Sequence, residues 1–261
     1  MSPTIERGLL IEERRRRICE LLREHGRVTV DALAARFGTS QVTIRADLST
    51  LESAGALLRT HGGALNVEDT DQPLGVKQLQ HHAEKLRIAA AAVELIRDGE
   101  TIILDSGTTT AEIARRIRRL ELKSINVITN ALNIAALLID VPCVRLIMPG
   151  GILRRESNSL SGPLAQAALG NLQADRLYLG ADGLDPEIGV MTPHLAEAEL
   201  NAQMIRISRQ VVVVADSSKL RRRNVSLIAK VEQLHMLITD RGAPADAVEA
   251  LKQRGVEVRL V

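Results

Sequence analysis

Residues 101–114, "TIILDSGTTTAEIA", join an apolar run to a Ser-Gly-Thr-Thr-Thr turn and then to the start of an amphipathic helix. A strand that ends in small and hydroxyl residues where a helix begins presents backbone N–H groups and the positive end of a helix dipole, a setting suited to an anion. Six more apolar runs of strand length follow: "NVITN" (126–130), "VRLIMPG" (144–150), "RLYLGAD" (176–182), "QVVVVAD" (210–216), "HMLITD" (235–240) and "VEVRLV" (256–261). Helical stretches separate most of them, and another helix is predicted near Lys77 to Arg97, ahead of the first strand. Near-continuous apolar strands alternating with helices predict a mostly parallel α/β sheet covered on both faces.

The N-terminal quarter is different. "IEERRRRICELLREH" (11–25) places Ile11, Ile18, Leu21 and Leu22 on one helical face, with Gly26 as its stop. Its "ERRRR" run at 13–17 reads as a solvated face. A short helix follows, with Leu33, Ala34 and Phe37 inward, Thr29 or Val30 at its start and Gly38 at its end. Ser40 is then placed as an N-cap. In "SQVTIRADLSTLESAGALLRTHGGA" (40–64), Ile44, Leu48 and Leu51 recur at i, i+4 and i+7, and Gly55 closes the helix. Two short extended pieces around His61, Gly62 and Gly63 form a wing. Two helices joined by a tight turn, then a hairpin, make a winged helix-turn-helix whose second helix enters the DNA major groove. There Gln41 suits adenine, Arg45 suits guanine or phosphate, and Val42 or Thr43 suits a thymine methyl. Arg59 and His61 in the wing are placed against backbone or minor groove. The predicted organisation is a DNA-binding domain over 1–65, a linker over 66–76 and an α/β effector-sensing domain over 77–261.

Composition narrows the function classes. The chain has 261 residues, 45% of them hydrophobic, and a net charge of only +2, so a nucleic-acid surface must be a local patch. Phe37 and Tyr178 are the only aromatics besides histidine, which disfavours modules that stack bases or sugars on aromatic faces. Two cysteines, Cys19 and Cys143, make neither a disulfide framework nor a zinc site. No run approaches a membrane span and the start lacks a signal-peptide stretch, so a cytoplasmic protein is expected, with no cofactor and no metal.

The run "RVTVDALAARFGTSQVTIRADLSTLESAGALLRTHGGA" (27–64) resembles the N-terminal signature of the DeoR family of bacterial sugar-operon repressors. The resemblance continues through "ILDSGTTT", "VITNALNIA", "MPGGILRR", "LGADGLD" and "VVVADSSK". Within that family, "LDSGTTTAEIAR", "GGILRRES" and "TPHLAEAELN" look most like regulators of N-acetylgalactosamine and galactosamine use. One departure is Ala46, which follows Arg45 where the family usually carries a second basic residue, removing a phosphate contact. The resemblance implies a transcriptional regulator, a repressor in type, controlled by a phosphorylated sugar bound in a domain similar to sugar-phosphate isomerases.

In an open parallel α/β sheet, ligands sit beyond the carboxyl ends of the strands. Asp105, Ser106, Gly107, Thr108, Thr109 and Thr110 follow the first strand, Thr129 and Asn130 end the second, and Gly150 and Gly151 the third. Asp182 ends the fourth, and Asp216 to Lys219 the fifth. The threonines suit a phosphate dianion, Asp182 and Asn130 suit sugar hydroxyls, and Lys219 supplies positive charge. Arg154 is a further ligand candidate, while Glu197 suits a sugar hydroxyl or amine, or is an exposed helix glutamate. The alternative is a sugar-phosphate isomerase or deaminase fused to a DNA-binding domain. "LGADGLD" and "VADSSK" resemble isomerase loops, but the interval "PEIGVMTPHLAEAELNAQM" (186–204) lacks the lysine and glycine run those enzymes carry, so no enzyme activity is expected. Symmetric pairing on two half-sites calls for a homodimer or higher oligomer on double-stranded operator DNA.

Overall fold

A computed structural model describes residues 9–25, 27–53, 56–60, 62–66 and 74–261. Gly26, Gly55, His61 and residues 67–73 of the expected linker lie outside the described residues. The chain forms two compact units, Met1–Gln72 and Pro73–Val261.

The first unit runs α1 (Ile11–His25), β1 (Arg27–Thr29), α2 (Val30–Phe37), α3 (Gln41–Ser53), β2 (Leu57–Thr60) and β3 (Gly63–Asn66). The Thr29 hydroxyl accepts from Ala32 N at 3.2 Å and starts α2, and Gly38, at φ 60°, ends it. Ile18, Leu21 and Leu22 of α1 meet Leu33, Phe37, Ile44 and Leu48 in one buried cluster. The wing is a three-stranded antiparallel sheet in the order β1-β3-β2, because Arg27–Thr29 pairs with β3 as well. Gly63 is required there: a Cβ would lie 2.0 Å from the Val28 carbonyl oxygen.

The second unit starts with α4 (Leu74–Leu79) and α5 (His82–Val93). The single long helix expected from Lys77 is broken at His81, whose φ of 49° is left-handed and incompatible with helix continuation. Then come β4 (Thr101–Leu104), α6 (Thr108–Ile117), β5 (Ile125–Thr129), α7 (Leu132–Leu138), β6 (Val144–Ile147), β7 (Ile152–Arg154), β8 (Ser159–Ser161) and α8 (Pro163–Leu169). After these run β9 (Ala174–Leu179), β10 (Gly183–Asp185), β11 (Gly189–Thr192), α9 (Leu195–Arg206), β12 (Ser208–Val214), β13 (Ser226–Lys230), β14 (Met236–Thr239), α10 (Ala245–Gln253) and β15 (Glu257–Leu260).

The seven strands read from the sequence form one parallel sheet, ordered β15-β14-β12-β9-β4-β5-β6. Alternation divides each strand between two cores. Ile102, Leu104, Tyr178, Val212 and Val214 pack with α5, α6 and α7, while Ile103, Leu177, Leu179, Val211 and Val213 pack with α8, α9 and α10. From β4 the chain winds outward through β5 to β6, then returns to β9 and winds the other way. The order reverses between β4 and β9, and the crevice beyond their carboxyl ends is where this fold class places ligands. A β7-β8 hairpin and a β10-β11-β13 antiparallel sheet complete the unit. Among the described residues no helix is long and apolar enough to cross a membrane.

Candidate functional sites

On the first unit, the Ser40 hydroxyl accepts from Thr43 N at 3.1 Å and caps α3. The apolar stripe of α3 faces the core, which turns Gln41, Val42 and Arg45 outward; Val42 is 73% exposed and Thr43 half-buried. Gln41 Nε2 donates to Asp31 Oδ1 at 2.6 Å, and Arg45 Nη2 donates to Gln41 Oε1 at 3.1 Å, so the two polar side chains are held in line along the helix. Arg59 is exposed on β2, its backbone N–H donating to Glu52 Oε1 at 3.3 Å.

The "ERRRR" run is not simply a solvated face. Asp47 of α3 is 2% exposed, and it accepts from Arg14 Nε at 2.6 Å and Arg15 Nε at 3.0 Å. Arg15 also reaches Thr50 Oγ1 at 3.2 Å. These ion pairs fasten α3 to α1, leaving Asp47 compensated inside the unit.

On the second unit, Asp105 ties the two sides of the switch point together. Its Oδ2 accepts from Gly180 N at 2.8 Å, and its Oδ1 accepts from Gly107 N at 2.9 Å and Thr110 Oγ1 at 2.8 Å. Burial pushes its carboxyl above the usual range against these three bonds, which favour the charged form. Asp105 is thus engaged as a brace between the β4–α6 and β9–β10 loops. Gly107 is the N-cap of α6 and gives it no side-chain cap, so the amides of Thr108 to Thr110 face the crevice end of the helix. The Ser106 hydroxyl beside them is buried without a hydrogen-bond partner.

Asp182, three residues beyond β9, accepts from Lys77 Nζ at 2.8 Å and from Thr192 Oγ1 at 3.1 Å. Burial is the largest single influence and would raise its carboxyl, but the charge and hydrogen bond of Lys77, joined by Lys219 and Thr192, together hold it below the usual range. Lys85, 4% exposed, donates to the Lys77 carbonyl and feels Asp216 and Lys219; burial brings its ammonium down to about 8. Lys219 is likewise lowered by burial, with Asp216 opposing. Three lysines therefore share one electrostatic neighbourhood with Asp182 and Asp216.

Arg154 lies 2.7 Å from His194 Nε2 and 3.5 Å from Glu197 Oε2. Burial, and then the charge of Asp182, push the Glu197 carboxyl up to about 7. The other expected residues have local roles. Thr129 Oγ1 accepts from Ala131 N at 3.2 Å, and Asn130 Nδ2 donates to the Leu160 carbonyl at 3.0 Å, leaving its Oδ1 buried and unpartnered. Asp216 caps the turn at 217–219 by accepting from Ser218 N at 3.1 Å. Gly150 and Gly151 turn the chain from β6 into β7; Gly151 has φ 116° and a Cβ there would lie 2.5 Å from the Ser161 carbonyl oxygen. Sequence reasoning missed Lys77, Lys85, Thr192 and His194. The first two sit on helices ahead of the first strand, and no local pattern marks them.

Two family models match the chain: a DeoR-like helix-turn-helix domain over residues 14–70 and the DeoR C terminal sensor domain over residues 80–241. The chain belongs to the DeoR family. It is a DNA-binding transcriptional regulator with a sensor domain, and its DeoR-family relatives are named regulators. A protein of Escherichia coli O157:H7 named for repression of an aga operon is 43% identical, covering 95% of this chain and 93% of that protein. The HTH-type transcriptional regulator GlpR of Haloferax volcanii is 37% identical over 96% of this chain and 98% of its own. Among solved structures, ribose 5-phosphate isomerase A from Methanocaldococcus jannaschii is similar at 22% identity and a TM-score of 0.40, covering 54% of this chain and 55% of that one.

Proposed function

We propose that this DeoR-family regulator represses a sugar-catabolic operon in the cytoplasm and that a phosphorylated sugar in the β4/β9 crevice controls its hold on operator DNA. The observation that carries the reading is the shared electrostatic neighbourhood of Lys77, Lys85 and Lys219, which also takes in Glu112 of α6, together with the uncapped amino end of that helix. A phosphate dianion has the charge and the acceptor oxygens to engage all of these. In this reading Thr108 to Thr110 and the lysines take the phosphate, while Asp182 and the unpartnered Asn130 Oδ1 take sugar hydroxyls. Glu197 is offered to a further hydroxyl or amine. The relative named for an aga operon supports a galactosamine-type sugar phosphate.

At the other end, Gln41, Val42, Thr43 and Arg45 read bases, with Ser40 holding their helix start and Arg59 and His61 on the backbone or minor groove. The regulator acts as a homodimer or higher oligomer, which places two such helices on paired half-sites.

Thermal unfolding tests the sensor half. Galactosamine 6-phosphate or N-acetylgalactosamine 6-phosphate raises the unfolding temperature, because a ligand at 100 times its Kd stabilises the native state by about 2.7 kcal/mol. The unphosphorylated sugars at equal concentration leave it unmoved. Equal shifts with and without phosphate, or none, would rule out the phosphate site.

A further inference from the structure

The effector site is joined to the start of the sensor unit by one ion pair. α4 is the first described element after β3 of the DNA-binding unit, so in sequence it is the element of the sensor unit that follows the operator-binding one. Among the described residues, three polar contacts hold α4. Leu74 N donates to the Glu156 carbonyl at 2.9 Å, next to Arg154 of the Glu197 group. Lys77 Nζ pairs with Asp182 Oδ1 at 2.8 Å, and the Lys77 carbonyl accepts from Lys85 Nζ. α4 also packs on α6, whose amino end is the proposed phosphate seat. Each of these three contacts comes from a group in or beside the crevice.

Both oxygens of Asp182 are engaged, Oδ1 by Lys77 and Oδ2 by Thr192. A polyol that is to donate hydroxyls to Asp182 must compete with Lys77. A phosphate arriving at α6 simultaneously offers Lys77 a doubly charged partner in place of a singly charged one. The exchange balances charge: the ammonium passes from carboxylate to phosphate, and the carboxylate passes from ammonium to hydroxyl donors. We propose that the Lys77–Asp182 pair is the latch through which effector occupancy is reported, holding α4 to the β9–β10 loop in the empty protein and releasing it when the effector takes both partners. Lys77 is a coupling residue here, acting on the operator through α4 and the chain that precedes it. The inference rests on the sugar-phosphate reading of the crevice and adds to it the route by which occupancy leaves the site.

Two readouts on the full chain separate the parts: thermal unfolding for binding and fluorescence anisotropy on labelled operator for response. The probes are galactosamine 6-phosphate and N-acetylgalactosamine 6-phosphate. Lys77→Gln has no latch, so its operator affinity without sugar matches that of the sugar-saturated wild type. Because Lys77 is also a phosphate ligand, the variant's thermal shift needs more sugar phosphate than that of wild type, but at saturating sugar its operator affinity changes by less than about 2-fold, against the roughly 5- to 150-fold of typical allosteric coupling. Lys77→Arg keeps the charge and restores the response. If Lys77→Gln lowers only the sugar-free unfolding temperature and its operator response stays at the wild-type ratio, Lys77 is merely structural and the latch is overturned. A Lys77→Gln protein whose sugar-free operator affinity equals that of sugar-free wild type, and whose thermal shift and operator response return together at higher sugar, makes Lys77 an effector ligand alone and also overturns it. Absence of any shift in wild type removes the effector reading itself, and the latch with it.

Discussion

Glu197 is the residue whose charge state the crevice controls most directly. It lies within the fields of Asp182, Lys77, Asp105 and Arg154, with burial and the Asp182 carboxylate raising it to about 7 from an ordinary 4.5. A raised acid favours its neutral form in the native state, so its contribution to stability is complete below about pH 4.5 and is lost as pH climbs through 7. Without sugar, Glu197→Gln therefore lies within about 1 kcal/mol of wild type at pH 5 and exceeds it at pH 8 by roughly 3 kcal/mol, since one pKa unit is about 1.4 kcal/mol. Urea unfolding at both pH values measures this. A stability difference that stays constant from pH 5 to pH 8 would mean that Glu197 is ionised throughout. The sequence offered Glu197 as a hydroxyl or amine partner or a plain helix glutamate; its neighbours Asp182 and Arg154 lie 15 and 43 positions from it along the chain and leave no local trace.

At the scale of elements, α3 owes its orientation to a buried charge rather than to its apolar stripe alone. Ile44, Leu48 and Leu51 were legible from their spacing, because helix periodicity is a local property. The pairing of Asp47 with Arg14 and Arg15 joins residues 33 and 32 positions apart, so "ERRRR" could not reveal which guanidiniums turn inward. Removing the carboxylate takes from the Arg14 guanidinium its partner at the core, while Arg15 keeps Glu12 and Thr50, a loss of about 3 kcal/mol for a buried pair. Asp47→Ala should thus speed amide hydrogen exchange in α1 and α3 on the order of 100-fold while leaving β4, β9 and β12 unchanged. An unchanged exchange rate in α1 would show that the apolar cluster alone fixes the two helices. The same contrast holds in the sensor unit. All seven parallel strands were readable as apolar runs, whereas β1, the His81 break and the two small antiparallel sheets were not. Three-residue strands carry too little periodicity to stand out, and the left-handed turn at His81 interrupts a stretch whose residues are otherwise helix formers.

At the scale of the whole molecule, the fold separates reading from sensing, one unit carrying the recognition helix and the other the crevice. One recognition helix presents few base contacts, and the proposed oligomer supplies the second. Sedimentation at the concentrations used for operator binding should give at least twice the 28.4 kDa chain mass. A monomer that bound operator tightly would contradict the paired-half-site reading.

The central claim is that a sugar phosphate at the amino end of α6 alters the grip on DNA. It is tested most directly by anisotropy on labelled operator, titrated with galactosamine 6-phosphate, N-acetylgalactosamine 6-phosphate and their unphosphorylated parents, for wild type and for Thr108→Glu. The substitution sets a carboxylate where the phosphate is expected, repelling the dianion without touching Gln41, Val42 or Arg45. The account predicts that a phosphorylated sugar shifts wild-type operator affinity by roughly 5- to 150-fold, that the parent sugars do almost nothing, and that Thr108→Glu binds operator normally and ignores every sugar. A free sugar as effective as its phosphate, or a Thr108→Glu protein that responds like wild type, would contradict it.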